Sequence, residues 1–453
     1  MTGPSTEGAV KGWCPSLLTP MESGDGLLVR VKPRAATLAA AQAEAVAQAA
    51  RQYGNGMIEP TNRGHLQVRG LTDGTVDGFA AAMAGIGLAA ATPEAEAVRN
   101  VLADPLGSDD PAARFDSHAL AHRLSAVLET DPAFHALPGK FGLLVDAGVA
   151  LPLAGCTADI AIQADGDRLT VEPAGGNRAL RLPEEAVEDA VRRLLTAFLA
   201  WRKGAQDAAA ISSPRRMKAM VTACGADAVF DAAGLNGARP VDGPATTGPE
   251  PPADRPQAGF SPVQGAAHGY FSVAVPFGSM EADDLAALAR LSRRYADGTI
   301  RVTPWKSFVL WGVSPADAFD LRKTAADIGL VAESDDPRRR IVACAGRPRC
   351  ASGHADTCAD AAYLAAAGLP GTGVLHLSGC AKGCAHPAAA GVALVATPGG
   401  YDLVRNGRAG DAPERTNLTR EAATEALAAP NPVAPIVAVC GTPVREPVRT
   451  AAE

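Results

Sequence analysis

The chain has 453 residues, 47% of them apolar, which is ample for a buried core and suggests about three domains. A net charge of −7 argues against a protein that works by neutralising phosphates, so no nucleic-acid partner is expected. No run approaches about 18 apolar residues, and Met1–Lys11 lacks a basic-then-apolar signal; neither membrane attachment nor export is expected, leaving a reducing cytoplasm.

In chain order, Gly26–Gly70 reads as a strand, a Pro-terminated turn, an Ala-rich helix and a second strand. Gln and Glu at helical spacing place the helix over Thr37–Ala50. Met57–Arg69 alternates as one strand, with Glu59, Thr61, Arg63, His65, Gln67 and Arg69 on one face and Ile58, Pro60, Asn62, Leu66 and Val68 on the other. A helix over Val76–Ala84 ends at Gly85–Ala90, whose dinucleotide-like glycines follow a helix rather than a strand and so fail as a nucleotide loop. Thr157–Glu172 is a pair of strands about a Gly turn, followed by a helix over Pro183–Ala200. Leu235–Gln264, rich in Pro, Gly and Asp without periodicity, reads as a linker.

The pattern then recurs. Gly269–Gly312 repeats the order of Gly26–Gly70, and Tyr53, Gly56, Ile58, Thr61 and Gly70 match Tyr295, Gly298, Ile300, Thr303 and Gly312. Gly391–Asn406 resembles Thr157–Glu172, and a helix over Thr419–Ala429 follows it. Two halves of similar plan result; the alternative is unrelated β-α-β stretches in an α/β chain. The expected divisions are 11–75, 76–234, the linker 235–264, 265–325 and 326–453.

Nine cysteines is an odd number, awkward for a disulfide framework. Five residues separate Cys344 from Cys350, three separate Cys380 from Cys384, and 29 lie between the pairs. Four thiolates on two loops suit an iron–sulfur cluster, whose irons each take a soft sulfur donor. Arg347, Arg349 and Lys382 would offset its charge. A Cys₄ zinc site usually has two to four residues inside each pair, so the five-residue spacing favours the cluster over zinc or unconnected thiols. Cys358 reads as a packed residue on a helix over Asp356–Ala367. Cys156, Cys224 and Cys440 read as buried thiols, and Cys14 is assigned no chemistry.

This pairing of thiols after a duplicated chain resembles the sulfite and nitrite reductase superfamily over roughly Lys11–Ala426. Thr61-Asn62-Arg63, Arg99-Asn100 and Leu137-Pro138-Gly139-Lys140-Phe141 resemble its motifs. The resemblance implies an α+β chain in which two ferredoxin-like half-domains pair across a pseudo-twofold, flanked by two larger α/β modules. It also implies that Cys344, Cys350, Cys380 and Cys384 hold a 4Fe–4S cluster. Where the sulfite reductases carry a second lysine, this chain has Gly142, which argues against a small oxyanion that needs several converging cations.

A narrower resemblance lies with the precorrin-3B synthase branch, in the segment Lys11 to Lys32, in Ile300-RVTPW-Lys306 and in Ser378-GCAKG-Cys384. It implies a monooxygenase that takes precorrin-3A and O₂, hydroxylates C20 and closes a ring-A lactone. A mononuclear non-haem iron would sit beside the cluster. The alternatives are a sirohaem-dependent sulfite or nitrite reductase and, from another class, a metal-binding or electron-transfer protein.

A ring bearing eight carboxylates calls for separated basic groups over an apolar floor. Candidate substrate ligands are Arg30, Arg63, Arg69, Arg99, Lys140, Arg301 and Lys306; Arg63, Arg99 and Lys140, at family positions, are also the catalytic candidates. Basic residues at strand ends are as often simply solvated. His386, two residues past the last cluster cysteine, is the candidate iron ligand. His65 and His376 read as structural, and His118 and His122 as a packed or solvated helix face. With no flavin or nicotinamide fingerprint, electrons are expected from a separate reductase, ultimately from NADH.

Overall fold

The computed structural model describes residues 14–153, 155–207, 215–240, 257–368 and 373–428. The first half opens with β1 (Met21–Ser23), β2 (Gly26–Val31), β3 (Thr37–Ala39), α1 (Ala40–Tyr53), β4 (Met57–Pro60), β5 (Leu66–Leu71) and α2 (Val76–Gly85). A first module follows: α3 (Pro93–Val98), β6 (Val101–Ala103), α4 (Ser117–Thr130), β7 (Leu143–Asp146), β8 (Ile160–Asp165), β9 (Arg168–Pro173) and β10 (Arg178–Leu182). It closes with α5 (Glu184–Asp207), α6 (Met217–Cys224), α7 (Ala226–Ala232) and β11 (Arg239–Pro240). The second half repeats the first as β12 (Gly259–Pro262), β13 (Gly269–Ala274), β14 (Met280–Glu281), α8 (Ala282–Tyr295), β15 (Thr299–Val302), β16 (Ser307–Val313) and α9 (Ala318–Asp327). The second module is β17 (Ile341–Ala343), α10 (Thr357–Ala366), β18 (Leu375–Ser378), β19 (Ala390–Thr397), β20 (Gly400–Gly407), β21 (Arg415–Leu418) and α11 (Arg420–Ala428).

The two half-repeats fold into one central unit by exchanging their shortest strands. One sheet runs β1-β2-β5-β4-β14 and the other β12-β13-β16-β15-β3, so each borrows its edge from the opposite repeat. The exchange is symmetric at the hydrogen-bond level: Ala40 N–H donates to the Gly298 carbonyl and Ala282 N–H to the Gly56 carbonyl, both at 2.8 Å. Alternation explains the core. Val29, Val31, Leu66 and Val68 point inward with Phe271, Val273, Phe308 and Leu310, and pack with Ala43, Ala47, Ala50, Leu285 and Leu288 of α1 and α8 in one cluster. Alanines on α1 let that helix lie close to its partner.

The modules also share a plan. Each has three parallel strands, β6-β7-β8 or β17-β18-β19, extended by antiparallel neighbours. The fainter similarity between Thr157–Glu172 and Gly391–Asn406 therefore corresponds to the hairpins β8–β9 and β19–β20.

Three local expectations are corrected. Met57–Arg69 is a hairpin, because Asn62-Arg63-Gly64 has turn chemistry and Gly64 takes a left-handed φ of +67°. A Cβ there would lie 2.6 Å from Ala36 Cβ. Because Glu59 pairs with Gln67, the polar side chains outside the turn still share a face. The helix of Thr37–Ala50 begins only at Ala40, since Thr37–Ala39 is drawn into the opposite sheet. Leu235–Gln264 is ordered at both ends, as Arg239–Pro240 pairs with β10 and β12 with β13; residues 241–256 lie outside the described residues.

No helix among the described residues is long and apolar enough to cross a membrane.

Candidate active site

The outward face of β2, β4 and β5 carries Arg30, Glu59, Gln67 and Arg69, because the inward positions are taken by the core, and Lys32 follows just past the end of β2. One end of this face, at His65, meets the first module. The other, at Arg69, meets the thiol loops. Four residues of strand separate them, about 13 Å.

At the first end a small cavity is lined by Arg63, His65, Asn100, Lys140 and Arg216, among others. Arg63 and Lys140 thus come together as the motifs implied. His65 is 3% exposed and its Nδ1 has no hydrogen-bond partner among the described residues. Burial, then the charges of Lys32, Arg30, Arg63 and Arg99, push its pKa well down, so the ring is neutral. Lys32 is also buried, with Nζ donating to the Glu96 carbonyl at 2.6 Å and the Ala97 carbonyl at 3.1 Å. Burial lowers it to about 7 against the upward pull of Glu96. Burial pushes the Arg63 guanidinium down as well. Cations therefore crowd around a neutral imidazole, a field that favours an anion.

Arg216 escaped the sequence reading. Its Nε donates to Asp159 Oδ1 at 2.9 Å, and Asp159 also accepts the Gly142 and Met217 N–H groups, so the guanidinium is fixed at the cavity wall. Nothing in its local sequence marks it, because Asp159 is 57 residues away. Cys14, to which no chemistry was assigned, lies 3.6 Å from Arg30 Nη1.

Three candidate ligands have other partners. Arg69 makes a two-pronged contact with Asp25 (2.8 Å to each oxygen) and bonds Ser23. Arg99 is buried and donates to Glu96 Oε2 and the Leu88 carbonyl, both at 2.9 Å. Arg301 spans Asp109 at 2.5 Å and Asp297 at 2.8 Å. These guanidinium groups tie elements together, and the cavity is built by other residues.

At the far end, Cys344 and Cys380 follow directly on the C-terminal ends of the parallel strands β17 and β18. Cys350 and Cys384 end the two loops. Gly379 N–H points at Cys344 Sγ at 3.1 Å. A Cβ on Gly24 would collide with Cys350 Sγ, so the N-terminal segment closes over the loops only as glycine. The Cys384 thiol is pushed up by desolvation and by the neighbouring Cys380, Cys344 and Cys350. Yet among the described residues no three His, Cys, Asp or Glu side chains converge on one metal ion. Four soft thiolate donors on two loops are the donor set that an iron–sulfur cluster takes.

The expected charge compensation is partial: Arg349 pairs with Glu281, while Lys382 reaches Ser352 Oγ at 3.3 Å. Cys358 lies on α10, Cys156 is buried, and Cys224 is exposed rather than buried because it ends the short helix α6. Cys440 lies outside the described residues. His386 Nε2 lies 3.3 Å from the Ala389 carbonyl, and its ring stands 5.7 Å from that of His376. No carboxylate completes a mononuclear iron site with them among the described residues, and no chemical step is assigned to such an ion. His118 Nε2 is bound to the Asp104 carbonyl at 2.7 Å.

The nitrite/sulfite reductase ferredoxin-like half-domain model matches twice, at residues 19–86 and 263–328. The fold is that of the NirA protein of Mycobacterium tuberculosis, with a TM-score of 0.64 at 20% identity, over 83% of this chain and 74% of that one. A ferredoxin–nitrite reductase of Synechococcus elongatus is 25% identical over 81% of this chain and 76% of its own. A precorrin-3B synthase of Sinorhizobium sp is 33% identical over 89% of this chain and 84% of its own length. Sharing that much sequence over nearly the whole of both chains, the protein belongs to the precorrin-3B synthase family of oxidoreductases, within the nitrite and sulfite reductase superfamily.

Proposed function

We propose that the protein hydroxylates precorrin-3A at C20 with O₂ and closes a ring-A lactone, as a precorrin-3B synthase of aerobic cobalamin biosynthesis. The observation that carries this reading is the excess of cations around His65, on the sheet face that ends at the thiol loops. Arg63, Lys140 and Arg216 bind peripheral carboxylates there, while neutral His65 adds a hydrogen bond without another charge. Cys344, Cys350, Cys380 and Cys384 would hold a 4Fe–4S cluster, which supplies electrons one at a time when bound. The reaction takes two electrons and two protons, with one oxygen atom entering the product and the other leaving as water. The electrons come from a separate reductase.

The test is incubation with precorrin-3A, ¹⁸O₂, a reductase and NADH, read by mass spectrometry. One labelled oxygen in the product is expected; a product without it overturns the proposal. Turnover with the purified protein and NADH alone would refute the separate reductase. Arg63→Ala should weaken substrate binding about tenfold, the loss of one charge-assisted bond, and leave the cluster spectrum intact.

A further inference from the structure

The duplication extends to the two hairpin turns of the central unit. Thr61 N–H donates to the His65 carbonyl at 2.8 Å, and Thr303 N–H to the Ser307 carbonyl at 3.0 Å. Arg63 thus corresponds to Trp305 and Gly64 to Lys306. Both members of the latter pair are left-handed, with φ of +67° and +59°. For lysine that conformation costs about 1–2 kcal/mol and persists only where its surroundings hold it.

Each turn walls a cavity against the first strand of a module. The first turn faces Asn100 and Leu102 across the cavity already described. The second faces Ile341 and Val342 across a small pocket lined also by Trp305, Lys306 and Arg339. No carboxylate lines it. Trp305 is 7% exposed and packs with Leu102, Leu144 and Leu153 of the first module, holding the turn in place. No hydrogen bond or ion pair among the described residues holds the Lys306 ammonium; its charged neighbours are Glu59 and Arg30, and burial pushes its pKa down. Arg339 adds a second cation at the wall, anchored by Nη1 donating to the Ser334 carbonyl at 2.8 Å.

We infer that this cavity is a second anion pocket, related to the first by the pseudo-twofold, in which Lys306 receives a carboxylate of the substrate ring. The inference rests on the polycarboxylate-ring reading of the cleft and adds its second anchor. The two turns stand close together, since a Cβ on Gly64 would lie 3.2 Å from the Val302 carbonyl. A ring with acids around its rim can thus engage both pockets, and two anchors fix its rotation where one leaves it free. The left-handed Lys306 places an ammonium at the position where the first copy needs only a glycine.

The probe is uroporphyrin III, a ring with eight carboxylates, titrated into the cluster-loaded protein and followed by porphyrin fluorescence. Lys306→Gly is the informative variant, because glycine accepts the left-handed backbone as Gly64 does. It should keep its iron content, unfold at the same temperature or higher, and bind uroporphyrin about tenfold more weakly. If Lys306→Gly binds as tightly as the parent while Arg63→Ala binds more weakly, the second pocket falls and the ring reading stands. If the parent does not bind uroporphyrin at all, both fall. Inorganic phosphate is the second probe: phosphate binding that depends on Lys306 while uroporphyrin binding does not marks a site for a small free oxyanion, and overturns the assignment to the ring.

Discussion

The two halves of this chain use one backbone plan for opposite ends. Register pairs Arg30 with Gln67 in the first sheet and Ser272 with Val309 in the second. By the same alignment Arg69 corresponds to Trp311 and Leu28 to Tyr270. The first outward face is therefore charged and carries a cleft. The second is apolar: Tyr270, Val309 and Trp311 join the core of the first module, and Arg301 clasps Asp109 of that module's loop.

The loops above the two faces differ in the same sense. Asp104 and Asp110 follow β6 at the spacing with which Cys344 and Cys350 follow β17, and Asp116 and Asp356 each cap the next helix. Asp104 accepts the Gly107 and Ala147 N–H groups at 2.6 and 3.0 Å, so it spans the two loops that the thiols span in the second module. Asp110 accepts the Ala112 and Ala150 N–H groups at 2.8 and 2.9 Å. Loops at the ends of parallel strands need something to satisfy their backbone amides. In one module it is buried carboxylates; in the other, thiols stand at the same positions, free for the metal role proposed above. The carboxylate version needs no cofactor and closes the face beneath it.

This comparison can be broken most decisively at the thiols. Cys384→Ala should reduce iron and acid-labile sulfide to background and abolish activity. Asp104→Ala, in the corresponding loop of the other module, should leave the iron content unchanged. It should instead cost about 2–5 kcal/mol of stability, since two buried amides lose their acceptor, as read by urea unfolding. Loss of iron in that variant would show that the first module does not stand apart from the cluster.

A smaller and pH-dependent effect should come from Asp146, which accepts the Gly148 and Leu153 N–H groups at 3.0 and 2.8 Å. Burial, with Asp104 nearby, pushes its carboxyl up to about 6. The folded state thus holds a proton that the unfolded chain has released. This contribution is fully present below about pH 4 and is lost as pH rises through about 6, about 3 kcal/mol at most. Comparing urea midpoints of the parent and Asp146→Asn from pH 4 to 7 isolates it. The parent should lose ground to the variant over that window, and a flat difference would contradict the buried-carboxylate picture.

Several of these features were legible in the residues. The duplication showed in Gly56, Thr61 and Gly70 and their counterparts, because a left-handed turn and a tight hairpin tolerate few substitutes. The thiol spacing pointed to four neighbouring cysteines because cysteine is rare and its chemistry narrow. The aspartates of the first module have the same spacing and went unread, since aspartate is common and its partners here are backbone amides. Arg63 and Lys140 were found by their motifs, whereas Arg216 depends on a contact with Asp159 that no local pattern records.

The sequence by itself determined the two-fold plan, the four clustered thiols and the basic character of one strand face, all properties of local pattern and residue type. Only the tertiary structure decided which cations face the cavity and which are spent on Asp25, Glu96 and Asp109. It alone showed that β3 and β14 cross between sheets, and that one face stays open while its twin is packed shut. Pairing and burial depend on which distant segments meet, and side-chain alternation along a single strand carries no record of its partner.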